Sequence, residues 1–407
     1  MNKKDLRINI ARPWLLVIAI IGMSVIGQFG NIISATVGQM AKSMPTVSPM
    51  AVQTIVTCVS LPTMIFDLLS PVIERMITKR WTILTGLALA LVGGITPVFT
   101  DYFALIYASR LVFGAGIGLI MPYGMALLGD IFTGETRDNM VGYASSALNF
   151  GSGISTLLVG ALLVISWHAS FLMYGLIAVP LVLFAIGYTR NVDIQIKANE
   201  YKARRSQKTK TIMQRIPLIV PVSACFLFLF LASGCVMFTT SAMAIEELHL
   251  KGAGFLALAL TISGLVSGVC TMFFGKLHRV FHGWLPVIAA IIGGLGYLWA
   301  SVAQNMIVFT LCLAMVGVAF FVYPYVNKVI LDRVDDAIKN VCVSFALAIY
   351  NLGAFFSPYI VHFITKIIGH SSPVWQLRVG AGMFFFLALL MTGYVVIEKL
   401  RGKGEQL

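Results

Sequence analysis

The sequence predicts an all-α integral membrane protein with twelve transmembrane helices in two pseudo-symmetric six-helix bundles. Composition is the first of three observations that predict this fold, because 58% of the 407 residues are hydrophobic and only 11% are charged. Soluble domains carry about 25% charged residues. Apolar runs long enough to cross a bilayer as helices recur along the whole chain. The longest polar stretch, 190–215, has six such runs before it and six after it.

The apolar runs define the predicted spans. They are 12–38, 50–73, 81–99, 104–129, 140–165, 168–189, 216–243, 253–276, 284–303, 306–330, 339–367 and 375–398. Continuous runs exclude a transmembrane barrel, whose strands alternate in polarity over about ten residues. The basic and apolar start resembles a signal peptide. Its apolar run continues well beyond the length of a signal peptide without a cleavage site, so we expect an uncleaved first helix.

The basic residues predict the orientation. Of the 29 Lys and Arg residues, 24 fall in loops on the side of the N-terminus, and only Lys42, Lys251, Lys366 and Arg378 fall in loops on the other side. The positive-inside rule therefore places both termini in the cytoplasm. This distribution also accounts for the net charge of +13 without nucleic-acid binding. The stretch 190–215 is then a cytoplasmic linker whose eight basic residues can contact anionic lipid.

The two halves of the chain repeat each other. Shifting the sequence by 202 residues aligns 122–155 with 324–357, with eight identities. The identical pairs are Pro122 and Pro324, Tyr123 and Tyr325, Asp130 and Asp332, Val141 and Val343, Ala144 and Ala346, Asn149 and Asn351, Gly151 and Gly353, and Ser155 and Ser357. An offset of six spans keeps the same orientation, which predicts parallel repeats, 1–189 and 216–407, around a cavity near the bilayer midplane.

Two motifs and the repeat resemble one family. The loop "SPVIERMITKRW", 70–81, resembles the major facilitator superfamily motif G-x-x-x-D-R-x-G-x-R-R, with Ser70 and Ile77 in place of glycine. A weaker copy, "GKLHRVFHGW", follows at 275–284. The stretch "RLVFGAGIG", 110–118, resembles the fourth-helix motif R-x-x-Q-G-x-G of the same family, with phenylalanine in place of glutamine. With the span count and the midpoint linker, the resemblance covers the whole chain.

The resemblance implies a cytoplasmic gate. Glu74 takes the acidic place of the loop motif, and its predicted partners are Arg75, Lys79 and Arg80. In the family this acid bonds to the other half and closes the cytoplasmic side. Asp130 and Asp332 recur at the inner ends of spans four and ten, near Arg137 and Lys339, where we expect supporting salt bridges. The alternative is an ordinary solvated loop that follows the positive-inside rule.

Arg110 is the one basic residue that the loop count leaves within the membrane, about 9 Å from the outer end of span four at 1.5 Å per residue. The resemblance implies that it faces the cavity and holds an anionic or carbonyl group of the substrate, or tunes a proton site. The alternative is that it reaches the interface or bonds carbonyl groups of a neighbouring helix. Asp67 is the candidate for proton coupling, because a desolvated carboxylate can take up a proton. A structural bond supporting the loop motif is its alternative.

Polar and aromatic residues within the spans are the remaining candidates for the cavity wall. With Arg110, the predicted substrate-binding residues are Gln28, Asn31, Tyr123, Asn149, Tyr325, Tyr350 and Asn351. A buried amide in a membrane needs a partner, so bonding between helices is the alternative for each asparagine.

These features predict a secondary transporter that works by alternating access. A sparse, mostly apolar cavity favours efflux of amphipathic or weakly acidic compounds, as in bacterial drug exporters, over transport of a sugar. Span five, "NFGSGISTLLVGA", lacks the proline of the exporter motif, so proton coupling stays open. Uptake or exchange of a small organic anion is the runner-up, and a non-transporting sensor is the alternative from another class.

The same reading predicts no catalysis and no cofactor. The sequence lacks the nucleotide-binding G-x-x-x-x-G-K-[ST] and the metal-binding H-E-x-x-H patterns. All six cysteines fall within spans, so we expect no disulfide framework. The expected partners are a small-molecule substrate and the lipid bilayer, with protons left open and no nucleic acid. We expect a monomer in a bacterial cell membrane.

Overall fold

A computed structural model of the chain describes residues 13–132, 134–196, 198, 217–250, 255–334 and 339–404. The predicted linker 190–215 lies mostly outside these ranges. The α-helices in them are numbered here in chain order. They are α1 Pro13–Ile26, α2 Val37–Ser43, α3 Pro49–Thr57, α4 Ser60–Ile77, α5 Lys79–Ile95, α6 Phe103–Ile131, α7 Gly134–Leu163, α8 Trp167–Ser170, α9 Ala178–Gly187, α10 Ile219–Gly234, α11 Val236–Glu247, α12 Leu256–Met272, α13 Phe274–Phe281, α14 Leu285–Ala300, α15 Met306–Val318, α16 Val322–Arg333, α17 Lys339–Ile368 and α18 Pro373–Gly404.

The helices confirm the all-helical membrane fold. Within the described residues, nine helical segments are long and apolar enough to cross a membrane, and three shorter apolar helices accompany them. The shorter ones are Pro13–Ile26, Gly151–Leu163 and Leu256–Met272, which fall in predicted spans one, five and eight. The number twelve and the cytoplasmic position of the termini stay predictions.

Spans one, two and seven are among the predicted spans that are interrupted within the described residues. Span one leaves the α-helix after Ile26 and passes through turns at 27–30 into a 3₁₀ helix, Ile32–Thr36. Span two is divided between α3 and α4, and span seven between α10 and α11. Such breaks free backbone carbonyl groups that need partners inside a membrane protein. Buried tyrosines supply such partners in two of these spans. In span one the Tyr174 hydroxyl donates to the carbonyl oxygen of Phe29, and in span seven the Tyr297 hydroxyl donates to that of Ser233 at 2.9 Å.

The chain divides into two compact units. The first contains Met1–Ile32, Cys58–Leu158 and Ser166–Met213, and the second contains Ile33–Thr57, Val159–Ile165 and Gln214–Leu407. This division differs from the predicted boundaries 1–189 and 216–407 at two segments, 33–57 and 159–165. The first segment joins the second unit because α2 and α3 pack against α11, and α3 also packs against α17. The division into two six-helix bundles stays a prediction.

The glycines of the stretch 110–118 allow close helix packing in the first unit. A Cβ atom added at Gly114 would meet the carbonyl oxygen of Val59 in the break between α3 and α4. A Cβ atom at Gly116 would meet the backbone nitrogen of Ala90 in α5. Since backbone atoms cannot turn aside as a side chain can, the two glycines bring α6 against both neighbours.

Gly114→Ala is expected to lower the stability of the protein by about 1–3 kcal/mol, because an extra carbon in a packed contact forces the backbone to shift. The unfolding temperature of the purified protein in detergent measures this. Gly264→Ala is the matched control, since an added Cβ there meets nothing within 4 Å. Equal unfolding temperatures for the two variants would contradict the packing role of Gly114.

Candidate functional site

Arg110 is fully buried within the first unit. Its Nη2 donates to the carbonyl oxygen of Gly30 at 3.1 Å, in the interrupted part of span one. Its guanidinium carbon lies 4.5 Å from the ring centre of Phe113 and 5.0 Å from that of Tyr174. The Tyr174 hydroxyl donates to the carbonyl oxygen of Phe29 at 3.0 Å. Arg110 and Tyr174 therefore pair two carbonyl groups that the break sets free, while ring faces stabilise the cation.

Arg110 forms the bond that the sequence analysis gave as the alternative to substrate binding. That bond is to a carbonyl group of another span, the carbonyl of Gly30 in span one. Its Nε and Nη1 atoms are buried without a hydrogen-bond partner among the described residues. In this conformation the side chain has no accessible surface. Direct contact with a substrate stays a prediction.

The loop-motif residues form a charged cluster in the first unit. Glu74 accepts a hydrogen bond from the Tyr123 hydroxyl at 3.0 Å, and the Ser70 hydroxyl donates to Tyr123 at 3.0 Å. Lys79 is buried, with its Nζ 3.2 Å from Asp130 Oδ2 and 4.0 Å from Glu74 Oε1. The structure thus brings together the predicted gate residues Glu74, Lys79 and Asp130. It places Tyr123 with them, although the sequence assigned it to the cavity wall.

The other cations of the motif differ from Lys79. Arg80 Nη2 donates to the carbonyl oxygen of Ala185 at 3.1 Å, and Arg75 is exposed. Nearby, the Tyr188 hydroxyl donates to Asp193 at 3.2 Å. Arg80 and Tyr188 therefore have hydrogen-bond partners outside the cluster of Glu74, Lys79 and Asp130.

The predicted residues of the second unit lie on α16 and α17. Asp332 pairs with Lys328 at 2.6 Å, and the side chain of Lys339, near which the sequence predicted a salt bridge, lies outside the described part. Tyr325 is buried, with its ring centre 5.8 Å from that of His278. These two residues are repeat-related to Asp130 and Tyr123 but have different partners.

Tyr350 and Asn351 lie on α17, within the same unit. The Tyr350 ring centre is 5.3 Å from that of Tyr323 and 6.4 Å from that of Phe230. The Asn351 amide donates to the carbonyl oxygen of Leu347 on its own helix at 3.1 Å. Tyr350 is thus part of an aromatic cluster next to Tyr323.

A cavity of about 720 Å³ opens in the second unit between α16 and α17. Its lining residues are Tyr323, Pro324, Asn327, Lys328, Asp332, Val343 and Ser344. The sequence predicted Asp332 as a functional residue, but as part of a gate. It missed Lys328, Asn327 and Tyr323, although the spacing of Tyr323 and Asn327 puts them on one helix face.

Four further predicted residues lie in the first unit. Gln28 is exposed and Asn31 is half-buried, both in the interrupted part of span one. The backbone of Asn149 is helical, and its side chain lies outside the described part. Asp67 is half-buried in α4, and no residue that the structure describes forms a hydrogen bond or ion pair with its carboxylate. The predicted structural bond of Asp67 is therefore not seen among these residues.

A buried amide cluster in the second unit was not predicted. Gln53 Nε2 donates to Gln376 Oε1 at 2.7 Å, and the Thr240 hydroxyl donates to the same oxygen at 3.1 Å. These contacts join α3, α11 and α18. An ion pair between Lys42 and Glu246, at 3.1 Å, joins α2 to α11. Gln53 and Gln376 both lie near the ends of predicted spans, where polar residues are common, so the sequence alone gave no signal.

Comparison with known proteins agrees with this fold. The family model described as Major Facilitator Superfamily matches residues 14–358. The solved structure of the POT family transporter PepTSo is similar with a TM-score of 0.73 at 15% identity, covering 95% of this chain and 98% of that one. The inward-open xylose transporter XylE from E. coli gives a TM-score of 0.70 at 15% identity, covering 92% and 94%.

A third similar structure is a D-xylose-proton symporter, with a TM-score of 0.69 at 15% identity, covering 92% of this chain and 96% of that one. A search of curated proteins found no significant match. The family match spans most of the chain, and the helical fold agrees with it. The chain is therefore a multi-pass membrane protein that belongs to the major facilitator superfamily of transporters.

Proposed function

We propose that this transporter exports small amphipathic or weakly acidic organic compounds across a bacterial cell membrane by alternating access. The cavity between α16 and α17 supports this proposal. Its volume of about 720 Å³ lies within the range of small-molecule sites, about 300–1,000 Å³. Pro324, Val343 and the ring of Tyr323 provide apolar surface, and Lys328 provides a cation for an acidic group.

We also propose that Asp67 couples transport to protons. A half-buried carboxylate with no partner among the described residues can exchange a proton when its exposure to water changes. The second candidate function is uptake or exchange of a small organic anion. The buried Nε and Nη1 atoms of Arg110, which have no partner among the described residues, favour it, since an anion would satisfy them if helix movement opened a path.

Counterflow in proteoliposomes tests the function. We expect exchange of 4-phenylbutyrate to exceed exchange of glucose, because the acid combines an apolar ring with a carboxylate. An entrapped pH-sensitive dye reports proton movement, and Asp67→Asn should abolish the dye response while counterflow continues. An outwardly or inwardly imposed pH gradient then distinguishes export from uptake. Exchange of glucose but not of 4-phenylbutyrate would contradict the proposed substrate class.

A further inference from the structure

We propose that Lys328 binds the anionic group of the transported compound, and that Asp332 occupies Lys328 as a placeholder while the cavity is empty. This inference rests on the proposed function and specifies its substrate contact. A carboxylate of the substrate would replace the carboxylate of Asp332 on the lysine ammonium group.

The geometry makes both residues available to a solute. Lys328 and Asp332 line the same cavity, and their side chains are 44% and 56% exposed. They are bonded to each other at 2.6 Å, so the ammonium group already has the kind of partner that a substrate carboxylate would provide. The ring of Tyr323 and the side chain of Val343 lie in the same wall, where they can contact the apolar part of the same compound.

The pair contributes little to the helix that carries it. On a helix, a lysine four residues before an acidic residue is the less favourable order of an ion pair. Asp332 is also the penultimate residue of α16, where the negative end of the helix dipole opposes a carboxylate. An exposed pair of this kind is weak and can be replaced by a similar contact with little loss. Helix stability therefore does not explain why these charges are here.

The sequence repeat shows that the cavity lysine belongs to the second half alone. In the first half, Asp130 pairs with Lys79, which comes from the start of another helix and is buried. The position related to Lys328 by the shift of 202 residues is Ala126. The duplicated aspartate therefore has a fixed partner between helices in one half and a partner on its own helix, facing a cavity, in the other. This difference assigns Lys328 to the solute.

The ammonium group of Lys328 is paired with one carboxylate before the exchange and with one carboxylate after it. Binding breaks the bond between Lys328 and Asp332 and forms a bond between Lys328 and the substrate. Asp332 is exposed enough to be hydrated after its release, so no proton transfer is required. An empty cavity never contains an unpaired lysine, and a filled one gains the apolar contacts of the substrate in addition.

Opposite effects of two substitutions test the proposal. The probe is 4-phenylbutyrate, with the uncharged 4-phenylbutanol as its matched compound, and binding is measured as the shift in unfolding temperature of the purified protein. Lys328→Gln should weaken binding of the acid up to about fivefold, because its ion pair with the substrate is exposed. Asp332→Asn should strengthen it by up to about fivefold, because the competing carboxylate is gone and an exposed pair amounts to about 1 kcal/mol at most. Neither should change binding of the alcohol.

Arg333→Gln is the control variant, because Arg333 bonds to Tyr394 at 2.9 Å and does not line the cavity. It should leave binding of both compounds unchanged. If Lys328→Gln and Asp332→Asn change binding in the same direction, the pair is a structural or gating contact and the proposal is wrong. Equal binding of acid and alcohol by the unaltered protein would also overturn it. Opposite effects on binding without counterflow of the acid would instead refute the proposed function.

Discussion

Arg110→Ala is expected to lower the stability of the protein by about 2–5 kcal/mol, the range for large-to-small substitutions in packed interiors. The side chain fills space between Phe113 and Tyr174, and its Nη2 is the donor to the carbonyl oxygen of Gly30. Alanine removes this packing and leaves the carbonyl group without its partner, close to the interruption of span one. The unfolding temperature of the purified protein in detergent measures the loss.

Arg110→Met separates packing from hydrogen bonding. Methionine fills much of the same volume but cannot donate to Gly30, so it should recover most of the stability and leave a deficit of about 1–2 kcal/mol. If Arg110→Ala has the unfolding temperature of the unaltered protein but exchanges 4-phenylbutyrate with a raised KM, the structural role of Arg110 is refuted. The substrate contact predicted from the sequence would then be supported.

The positions of the helices were predictable from the sequence, because each span carries an unbroken apolar run. α14, Leu285–Ala300, lies inside the predicted span 284–303. The interruptions were not predictable, since glycine is common in transmembrane helices and does not by itself end one. The break at Cys235 is stabilised by the hydroxyl of Tyr297, which also accepts a hydrogen bond from the backbone N–H of Met237 at 2.9 Å. Tyr297 is 60 residues away from Met237 in the sequence, so only folding brings it to the break.

The candidate site was predictable where charges had a fixed spacing. The sequence predicted Glu74, Lys79 and Asp130 as residues of the cytoplasmic gate, and Lys79 lies between the two acids in the structure. A tyrosine in a helix gives no comparable signal, because the sequence does not tell which neighbour its hydroxyl faces. For this reason the sequence did not predict that Tyr123 bonds to Glu74 in the charged cluster. Lys328 was counted only among the cytoplasmic basic residues, since its place in a cavity depends on the packing of α16 against α17.

Gln376→Leu is expected to destabilise the second unit by about 2–6 kcal/mol, from about 1–3 kcal/mol for each buried polar group that loses its partner. The Gln376 side-chain oxygen accepts hydrogen bonds from both Gln53 and Thr240. All three side chains are buried, so water cannot replace the acceptor. Thermal unfolding of the purified variant gives the size of the effect.

Removing the stranded donors should reverse this loss. We expect Gln53→Leu combined with Gln376→Leu to be more stable than Gln376→Leu alone, and addition of Thr240→Val to restore stability further. Gln39→Leu is the control, because Gln39 is exposed and its bond to the carbonyl oxygen of Leu163 is long, at 3.5 Å. It should have little effect.

The order of these variants distinguishes two roles for the cluster. If the triple variant approaches the stability of the unaltered protein, the amides add little net energy, and their effect is to specify how α3, α11 and α18 pair, since a misplaced helix would leave buried donors unsatisfied. If each added substitution lowers the unfolding temperature further, the hydrogen bonds themselves stabilise the second unit. In that case these hydrogen bonds hold the segment 33–57 to the second unit, and any movement of α3 away from α11 and α18 must first break them.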